Sequence, residues 1–205
     1  CLDAIDRQNP ALNAVVAVDR AGARAAARAS DAARARGRPP GPLAGLPLSV
    51  KDVIDVAGLP TTGGDPARAN ALAATDAPAV ARLRAAGAIP FAKTNVPLNA
   101  ADFETWNELH GATGNPYAPD RSPGGSSGGA AAAVAAGLTP VELGTDLAGS
   151  LRVPAHYCGV ASLKPSFGVV PAGGVYAGVP GARDPGDLLV VGPLARSVAD
   201  LALLF

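Results

Sequence analysis

The pattern of apolar and polar residues predicts alternating strands and helices in the first part of the chain. An apolar run at residues 12–18 is typical of a short strand, and the Ala- and Arg-rich segment 21–36 predicts a helix that Gly37 ends. The arginines of this helix are expected to form a solvated face. Residues 38–42, RPPGP, predict a turn-rich connector within one domain, because the apolar strand pattern resumes directly after it.

The same alternation continues through the middle of the chain. Residues 46–56 predict a strand that carries two charges, and Asp76 before Ala77-Pro78 is predicted to cap a helix that Gly87 ends. Residues 88–92 predict the next buried strand. The repeated order of strand and helix indicates an α/β architecture.

The periodic pattern stops between residues 95 and 123, and a loop of this length in a compact domain is usually functional. It contains Trp106, a residue type that on its own is more often a packing anchor than a substrate contact. The two histidines, His110 and His156, do not have the spacing of a metal motif. The sequence therefore predicts no metal and no cofactor.

Composition restricts the class of protein. Of the 205 residues, 48% are hydrophobic and 17% are charged, which is typical of a globular domain that can bury a core. Since 17 basic and 17 acidic residues give a formal net charge of zero, neither nucleic acid nor a membrane is the expected partner. No apolar run approaches the roughly 20 residues that span a bilayer. With two cysteines, Cys1 and Cys158, a reducing cytoplasm is the default expectation.

The candidate chemistry begins in a glycine- and serine-rich block at residues 122–129, SPGGSSGG, before a helix predicted at 130–136. Glycine lets a backbone or a ligand come close, and a serine at a helix start can accept hydrogen bonds from free N–H groups. A flexible linker is the alternative interpretation. It is disfavoured because the block is short, lies in an apolar chain, and is followed by a strand predicted at 140–144 and a second glycine-serine segment.

That second segment, GTDLAGS at residues 144–150, predicts a turn whose consecutive free backbone N–H groups can bind an oxyanion. Ser150 at its end is a candidate nucleophile beside its own oxyanion hole. The alternative is a capping serine, with Arg152 serving only as a surface charge.

Lys51 is the candidate general base. A lysine that faces a buried site loses solvation, which lowers its pKa, whereas Asp52 is expected to point to the opposite face of the strand. Taken alone, Lys51 also fits a lysine at a strand end whose amine reaches solvent.

Three motifs together resemble the amidase signature family of Ser-Ser-Lys hydrolases. They occur in order as LSVKD with Lys51, GGSSGG with Ser126, and GTDLAGSLRVPA with Ser150. The resemblance covers nearly the whole chain and continues through KTN at 93–95, CGV at 158–160, LKP at 163–165 and GPLARS at 192–197.

The resemblance implies a mixed β-sheet sandwiched between α-helices. It also implies Ser150 as nucleophile, Ser126 as proton shuttle and Lys51 as base, with a cis peptide between Gly125 and Ser126. These roles agree with the residue chemistry, because a serine hydroxyl is a poor nucleophile until a base removes its proton.

The same resemblance assigns the oxyanion hole to consecutive backbone N–H groups, those of Leu147, Ala148, Gly149 and Ser150. Three more residues, Ser127, Asp146 and Arg152, match family positions whose side chains brace this core. Ala148 is a departure, since glycine is commoner there. Its Cβ costs about 1 kcal/mol if φ is positive and nothing if φ is negative.

The implied function is hydrolysis of a carboxamide C–N bond in a small molecule, through an acyl-enzyme on Ser150. Two alternatives stay open: an amidotransferase subunit of the same family that releases ammonia from glutamine, and an inactive fragment. Val153 and residues 184–187, DPGD, look more like stand-alone amidases than like the amidotransferase branch. A homodimer is also left open.

Family members are longer than this chain, which begins at Cys1 and ends partway through a helix opened by Ser197. Residues 1–205 are therefore expected to be a single domain, the N-terminal part of a longer amidase, truncated at its C-terminus and at its N-terminus. Such a fragment is expected to be inactive alone and to expose an apolar surface and a sheet edge.

Two other function classes fit parts of the glycine block. The windows 124–128 and 125–129 match the G-x-S-x-G elbow of Ser-His-Asp hydrolases, but residues 117–123, YAPDRSP, cannot form the central strand which that elbow needs. A phosphate-binding loop is the other class. No Walker lysine follows the block and it lacks G-x-G-x-x-G, so the motif support for it is poor.

Overall fold

A mixed β-sheet runs through the centre of the computed structural model, which describes residues 1–37, 41–176 and 187–205. The strands of this sheet in the described residues are β1 (Val15–Val18), β2 (Pro47–Lys51), β3 (Ile89–Thr94), β6 (Val141–Asp146), β7 (Ala161–Ser162) and β8 (Val190–Ala195). The six strands lie in the order β1-β3-β2-β6-β8-β7. Strand β2 is parallel to both of its neighbours, β3 and β6, and the remaining pairs are antiparallel. A separate ribbon is formed by β4 (Trp106–Asn107) and β5 (Gly111–Ala112).

Helices cover both faces of the sheet. They are α1 (Leu2–Leu12), α2 (Arg20–Ala35), α3 (Pro78–Ala85), α4 (Gly128–Ala135), α5 (Arg152–Tyr157) and α6 (Val198–Leu204), with short 3₁₀ turns at Pro66–Arg68 and Leu98–Ala100. One hydrophobic cluster joins α1, α4 and α5 to one face of the sheet, and a second joins α3 and α6 to the other face. The predicted mixed sheet between helices is confirmed.

Several element predictions are confirmed closely. Helix α2 matches the predicted segment, and its arginines are exposed as a solvated face. The Ser197 side chain caps α6 by accepting a hydrogen bond from the Asp200 N–H at 3.1 Å. None of the helices in the described ranges is long and apolar enough to cross a membrane. Predictions that involve residues 38–40 and 184–186 lie outside the described residues.

Four local predictions are wrong. The strand predicted over residues 46–56 spans only Pro47–Lys51, because a turn follows in which the Ile54 N–H donates to the Lys51 carbonyl oxygen at 3.0 Å. The strand predicted from residue 12 begins at Val15, because α1 extends to Leu12 and Asn13 ends it with φ of 52°. Asp76 does not cap α3, because its carboxylate is bound instead by the Ala57 N–H and the Arg84 side chain. Trp106 is not a packing anchor, because it lies on the β4–β5 ribbon with 57% of its surface exposed.

Candidate active site

The candidate site lies where the parallel strands β2 and β6 end. Lys51 is the last residue of β2 and Asp146 is the last residue of β6, so the carboxyl ends of both strands bring these residues to one edge of the sheet. The glycine-serine block 122–129 leads to the start of α4 beside them, and the turn 147–151 connects β6 to α5.

Lys51 is fully buried, with 0% of its surface exposed. Its Nζ donates one hydrogen bond to Ser126 Oγ at 2.6 Å and another to Thr145 Oγ1 at 2.8 Å. Burial lowers the pKa of Lys51 to about 7, against the opposing effect of the Asp146 and Glu142 charges. A substantial fraction of this amine is therefore neutral near neutral pH, and the alternative of a strand-end lysine in solvent is wrong.

The glycine block is a tightly packed segment, so the flexible-linker interpretation is wrong. Residues 123–134 are buried, and the Gly125-Ser126 peptide bond is cis. A Cβ on Gly125 would lie 2.6 Å from the Asp102 carbonyl oxygen, and one on Gly129 would lie 2.4 Å from the Asn95 nitrogen. These positions require glycine because neighbouring backbone comes too close for any side chain.

Ser127 joins the start of α4 to the segment that follows β6. Its N–H donates to the Ser150 carbonyl oxygen at 3.2 Å, and its hydroxyl donates to the Thr145 carbonyl oxygen at 3.2 Å. The Ser127 side chain makes no capping hydrogen bond to α4. Its contacts thus hold the two serine-bearing segments against each other.

Asp146 organises the turn that carries Ser150. Its carboxylate accepts hydrogen bonds from the N–H groups of Gly149 at 2.8 Å and Leu151 at 3.0 Å, and from the Arg152 side chain at 3.0 Å. Burial alone raises the pKa of Asp146, but the hydrogen bonds from Arg152, Leu151 and Gly149 outweigh it and hold the pKa below its usual value. Asp146 therefore stays ionised, and Arg152 does more than provide surface charge.

The predicted oxyanion donors divide into two sets. The Gly149 N–H is already bound by Asp146, whereas the N–H groups of Leu147, Ala148 and Ser150 have no hydrogen-bond acceptor among the described residues. Ser150 is 8% exposed. Ala148 is not among the residues with positive φ, so its Cβ carries no backbone cost, while Gly149 has φ of 131°, which favours glycine.

Two site residues were missed by sequence reasoning. Thr145, which accepts the second Lys51 hydrogen bond, had no motif of its own, although its place directly before Asp146 was a usable signal. Glu142 is buried on β6 within hydrogen-bonding reach of hydroxyls on β2 and β3. Sequence alone does not reveal such a contact, because it depends on strand register.

The structure argues against the G-x-S-x-G elbow. No strand lies directly before Ser126, because the described residues 117–123 form turns and irregular backbone. In the described residues neither His110 nor His156 makes a side-chain hydrogen bond to Ser126 or Ser150. Among the described residues, the basic side chain that hydrogen-bonds to Ser126 is Lys51.

The family model of the Amidase family matches residues 1–205, so the chain belongs to this family. It is 44% identical over 204 residues to a glutamyl-tRNA(Gln) amidotransferase subunit of Chloroflexus aurantiacus, covering 100% of this chain and 41% of that protein. It is 45% identical over 205 residues to an indoleacetamide hydrolase of Bradyrhizobium diazoefficiens, covering 98% of this chain and 38% of that protein.

Among solved structures, the native peptide amidase from Stenotrophomonas maltophilia superposes with a TM-score of 0.89 at 37% identity. The match covers 99% of this chain and 42% of the peptide amidase. The chain thus spans about two fifths of the length of the relatives it matches.

Proposed function

We propose that the protein hydrolyses the C–N bond of a small carboxamide through an acyl-enzyme on Ser150, with Ser126 as proton shuttle and Lys51 as base. The observation that carries this proposal is the 2.6 Å hydrogen bond from the buried Lys51 Nζ to Ser126 Oγ. Family membership and the similarity to an indoleacetamide hydrolase and a peptide amidase support the reaction class. No cofactor or metal is part of the proposed reaction.

In the first half of the reaction, the Ser150 oxygen attacks the carbonyl carbon of the amide. Its proton passes to Ser126, and Ser126 passes its own hydroxyl proton to the neutral amine of Lys51. The relay then returns a proton to the departing nitrogen as the C–N bond breaks, leaving an ester on Ser150. Water attacks this ester by the reverse proton path, which releases the acid and restores the three residues.

The oxyanion of each tetrahedral intermediate is proposed to lie against the turn after β6. Three N–H groups, those of Leu147, Ala148 and Ser150, are the proposed donors, and one such donor is worth roughly 2.7–4 kcal/mol of barrier. The fourth predicted donor, the Gly149 N–H, is held by Asp146 at 2.8 Å and so orients the other three. Ser127, Asp146 and Arg152 brace the turn through the hydrogen bonds described above.

A second candidate is the glutamine-hydrolysing subunit of an amidotransferase. The 44% identity to the amidotransferase subunit of Chloroflexus aurantiacus, over the whole chain, supports it. Val153 and the 184–187 segment favour the stand-alone amidase instead. Both candidates use the same nucleophile, and turnover of free carboxamides without a partner subunit distinguishes them.

For the native protein we propose a cytoplasmic location and no nucleic-acid or membrane partner. The zero net charge supports this view, because there is no basic excess to attract phosphates. A homodimer is compatible with this proposal. Residues 1–205 are proposed to be one domain within a longer amidase, as the coverage of its relatives suggests.

Active-site labelling tests the proposed nucleophile. The protein at its native length is treated with a fluorophosphonate and digested, and the labelled serine is identified by mass spectrometry. We expect the label on Ser150 and none in Ser150→Ala, while the exposed control Ser166→Ala labels like the wild type. A label on Ser127 would instead support the elbow and refute the Ser150 assignment.

A further inference from the structure

Glu142 is a buried carboxylic acid that the proposed reaction does not use. It lies on β6 with 0% of its surface exposed. In the parallel pairing of β2 and β6 it stands directly beside Ser49, two residues before Lys51 and on the same face of the sheet. The carboxyl group therefore belongs to the same buried layer as the lysine.

The hydrogen bonds of Glu142 go to two residues that neighbour Lys51 in the sheet. Ser49 Oγ donates to one carboxyl oxygen, and Thr94 Oγ1 donates to the other at 2.8 Å. Ser49 belongs to the same strand as Lys51, and Thr94 is paired with Lys51 in the β2–β3 ladder. The Glu142 carboxyl group thus binds one hydroxyl from the strand of Lys51 and one from the residue paired with Lys51 on β3.

The described elements packed against this face of β6 bring few charges to Glu142. Helix α4, GGAAAAVA, and strand β8, VVGPLA, contain no titratable side chain. The charges that act on Glu142 are, in order of effect, Lys93, which points to the opposite face of the sheet, and Lys51, which lies on the same face. Lys51 in turn senses Asp146, which is paired with Arg152, and then Glu142, whereas Lys93 senses Asp52 and Asp55 before Glu142. Lys51 is the titratable partner that shares the buried face with Glu142.

We propose that Glu142 is a positioning residue of the relay, whose own protonation state controls whether Lys51 is charged. This inference rests on the proposed function of Lys51 as base. A neutral Glu142 leaves the amine free to lose its proton and accept one from Ser126. An ionised Glu142 stabilises the ammonium form and withdraws Lys51 from the relay.

The titration of the two groups supports this coupling. Burial raises the pKa of Glu142 to about 8, against the hydrogen bonds from Ser49 and Thr94, and burial lowers the pKa of Lys51 to about 7. When one proton leaves the pair, either the amine becomes neutral or the carboxyl ionises, and only the first form is productive. Activity should therefore rise with pH in two overlapping steps that belong to the pair.

The decisive variant is Glu142→Gln, tested in the protein at its native length. Glutamine is isosteric and still accepts a hydrogen bond, but it cannot ionise. The acid limb of kcat/KM for a carboxamide should become a single titration and move to lower pH by about one pH unit, the lower end of a neighbouring-charge effect. An unchanged limb, or one that moves to higher pH, would overturn the proposal.

Thr139→Val is the matched control. It removes another buried hydroxyl near β6, whose partner is the Val141 carbonyl oxygen at 2.8 Å, away from Lys51. It should lower stability without moving the pH profile. If Thr139→Val shifts the limb as Glu142→Gln does, the effect is general destabilisation and the proposal is refuted.

A second readout does not depend on catalysis. Infrared difference spectra between wild type and Glu142→Gln should show the carbonyl stretch of a protonated carboxyl that disappears as the pH is raised through about 8. An ionised Glu142 at pH 6 would refute the coupling. If the band is present but Ser150→Ala retains turnover, the proposed function fails while the protonation of Glu142 stands.

Discussion

Two lysines on neighbouring strands, Lys51 on β2 and Lys93 on β3, are both fully buried and yet lie in opposite chemical settings. Lys93 Nζ contacts a carboxylate oxygen of Asp52 at 3.3 Å and donates to the Pro60 carbonyl oxygen at 2.8 Å. Lys51 Nζ has hydroxyl partners instead, those of Ser126 and Thr145. The Lys93 amine is therefore paired with a carboxylate, whereas the Lys51 amine is bound to neutral hydroxyls and loses its proton more readily.

The strand geometry explains the difference. Residues of paired strands that stand opposite each other share a face, and Lys93 pairs with Val50 while Lys51 pairs with Thr94. The two ammonium groups therefore lie on opposite sides of the sheet. Burial lowers the pKa of both, but Lys93 has Asp52 as an adjacent counter-ion, whereas the Asp146 charge near Lys51 is already bound by Arg152. The partner, more than the burial, decides which lysine is available as a base.

The largest expected effect that tests this comparison is Lys51→Met. Removing a general base lowers kcat by about 10²–10⁴, or more where the whole relay depends on it. The free energy of unfolding should stay unchanged or increase, because methionine fills the space without burying a charge. Turnover and urea denaturation of the same sample measure both quantities. Wild-type turnover in this variant would contradict the role of Lys51.

Lys93→Met should show the reverse pattern. Asp52 would be left buried without its counter-ion, so the free energy of unfolding should fall by about 3–5 kcal/mol. Molecules that remain folded should keep most of their turnover, since Lys93 makes no hydrogen bond to Ser126 or Thr145. The double variant Asp52→Leu/Lys93→Met should recover much of the stability. If it recovers none, Lys93 and Asp52 do not act as a pair.

The smallest expected effect concerns the histidines. If Lys51 is the base, replacing both His110 and His156 with glutamine should change kcat/KM less than about tenfold, below the usual contribution of a general base. Circular dichroism of the double variant provides the folding control. A larger loss in a folded double variant would overturn the Lys51-Ser126-Ser150 assignment.

Some features of the site were predictable because short motifs carry them. Lys51, Ser126 and Ser150 each lie in a motif of fixed spacing, and the structure brings Lys51 and Ser126 into direct contact. The fold class was also predictable, because strands and helices alternate visibly along the chain. Helix α1 was missed, since Pro10 inside it and Asn13 after it obscure the helical pattern.

Other features depend on how distant strands are aligned in the sheet, and the sequence does not predict that strand register. Glu142 meets Ser49 only because β2 and β6 are parallel with that particular pairing. The Gly149 N–H was predicted as an oxyanion donor, yet it binds Asp146, because the turn folds back onto the end of β6. The pattern of a strand shows which faces are apolar, but it does not identify which residue of a distant strand will lie opposite.

The sequence by itself determined the family, the α/β class and the three residues proposed for catalysis, because local motifs and periodicity encode them. Only the tertiary structure decided which of two buried lysines is paired with an acid, and which backbone N–H groups remain available. A pKa or a free hydrogen-bond donor is a property of the surroundings, and those surroundings come from segments more than 70 residues apart, as in the contact of Lys51 with Ser126.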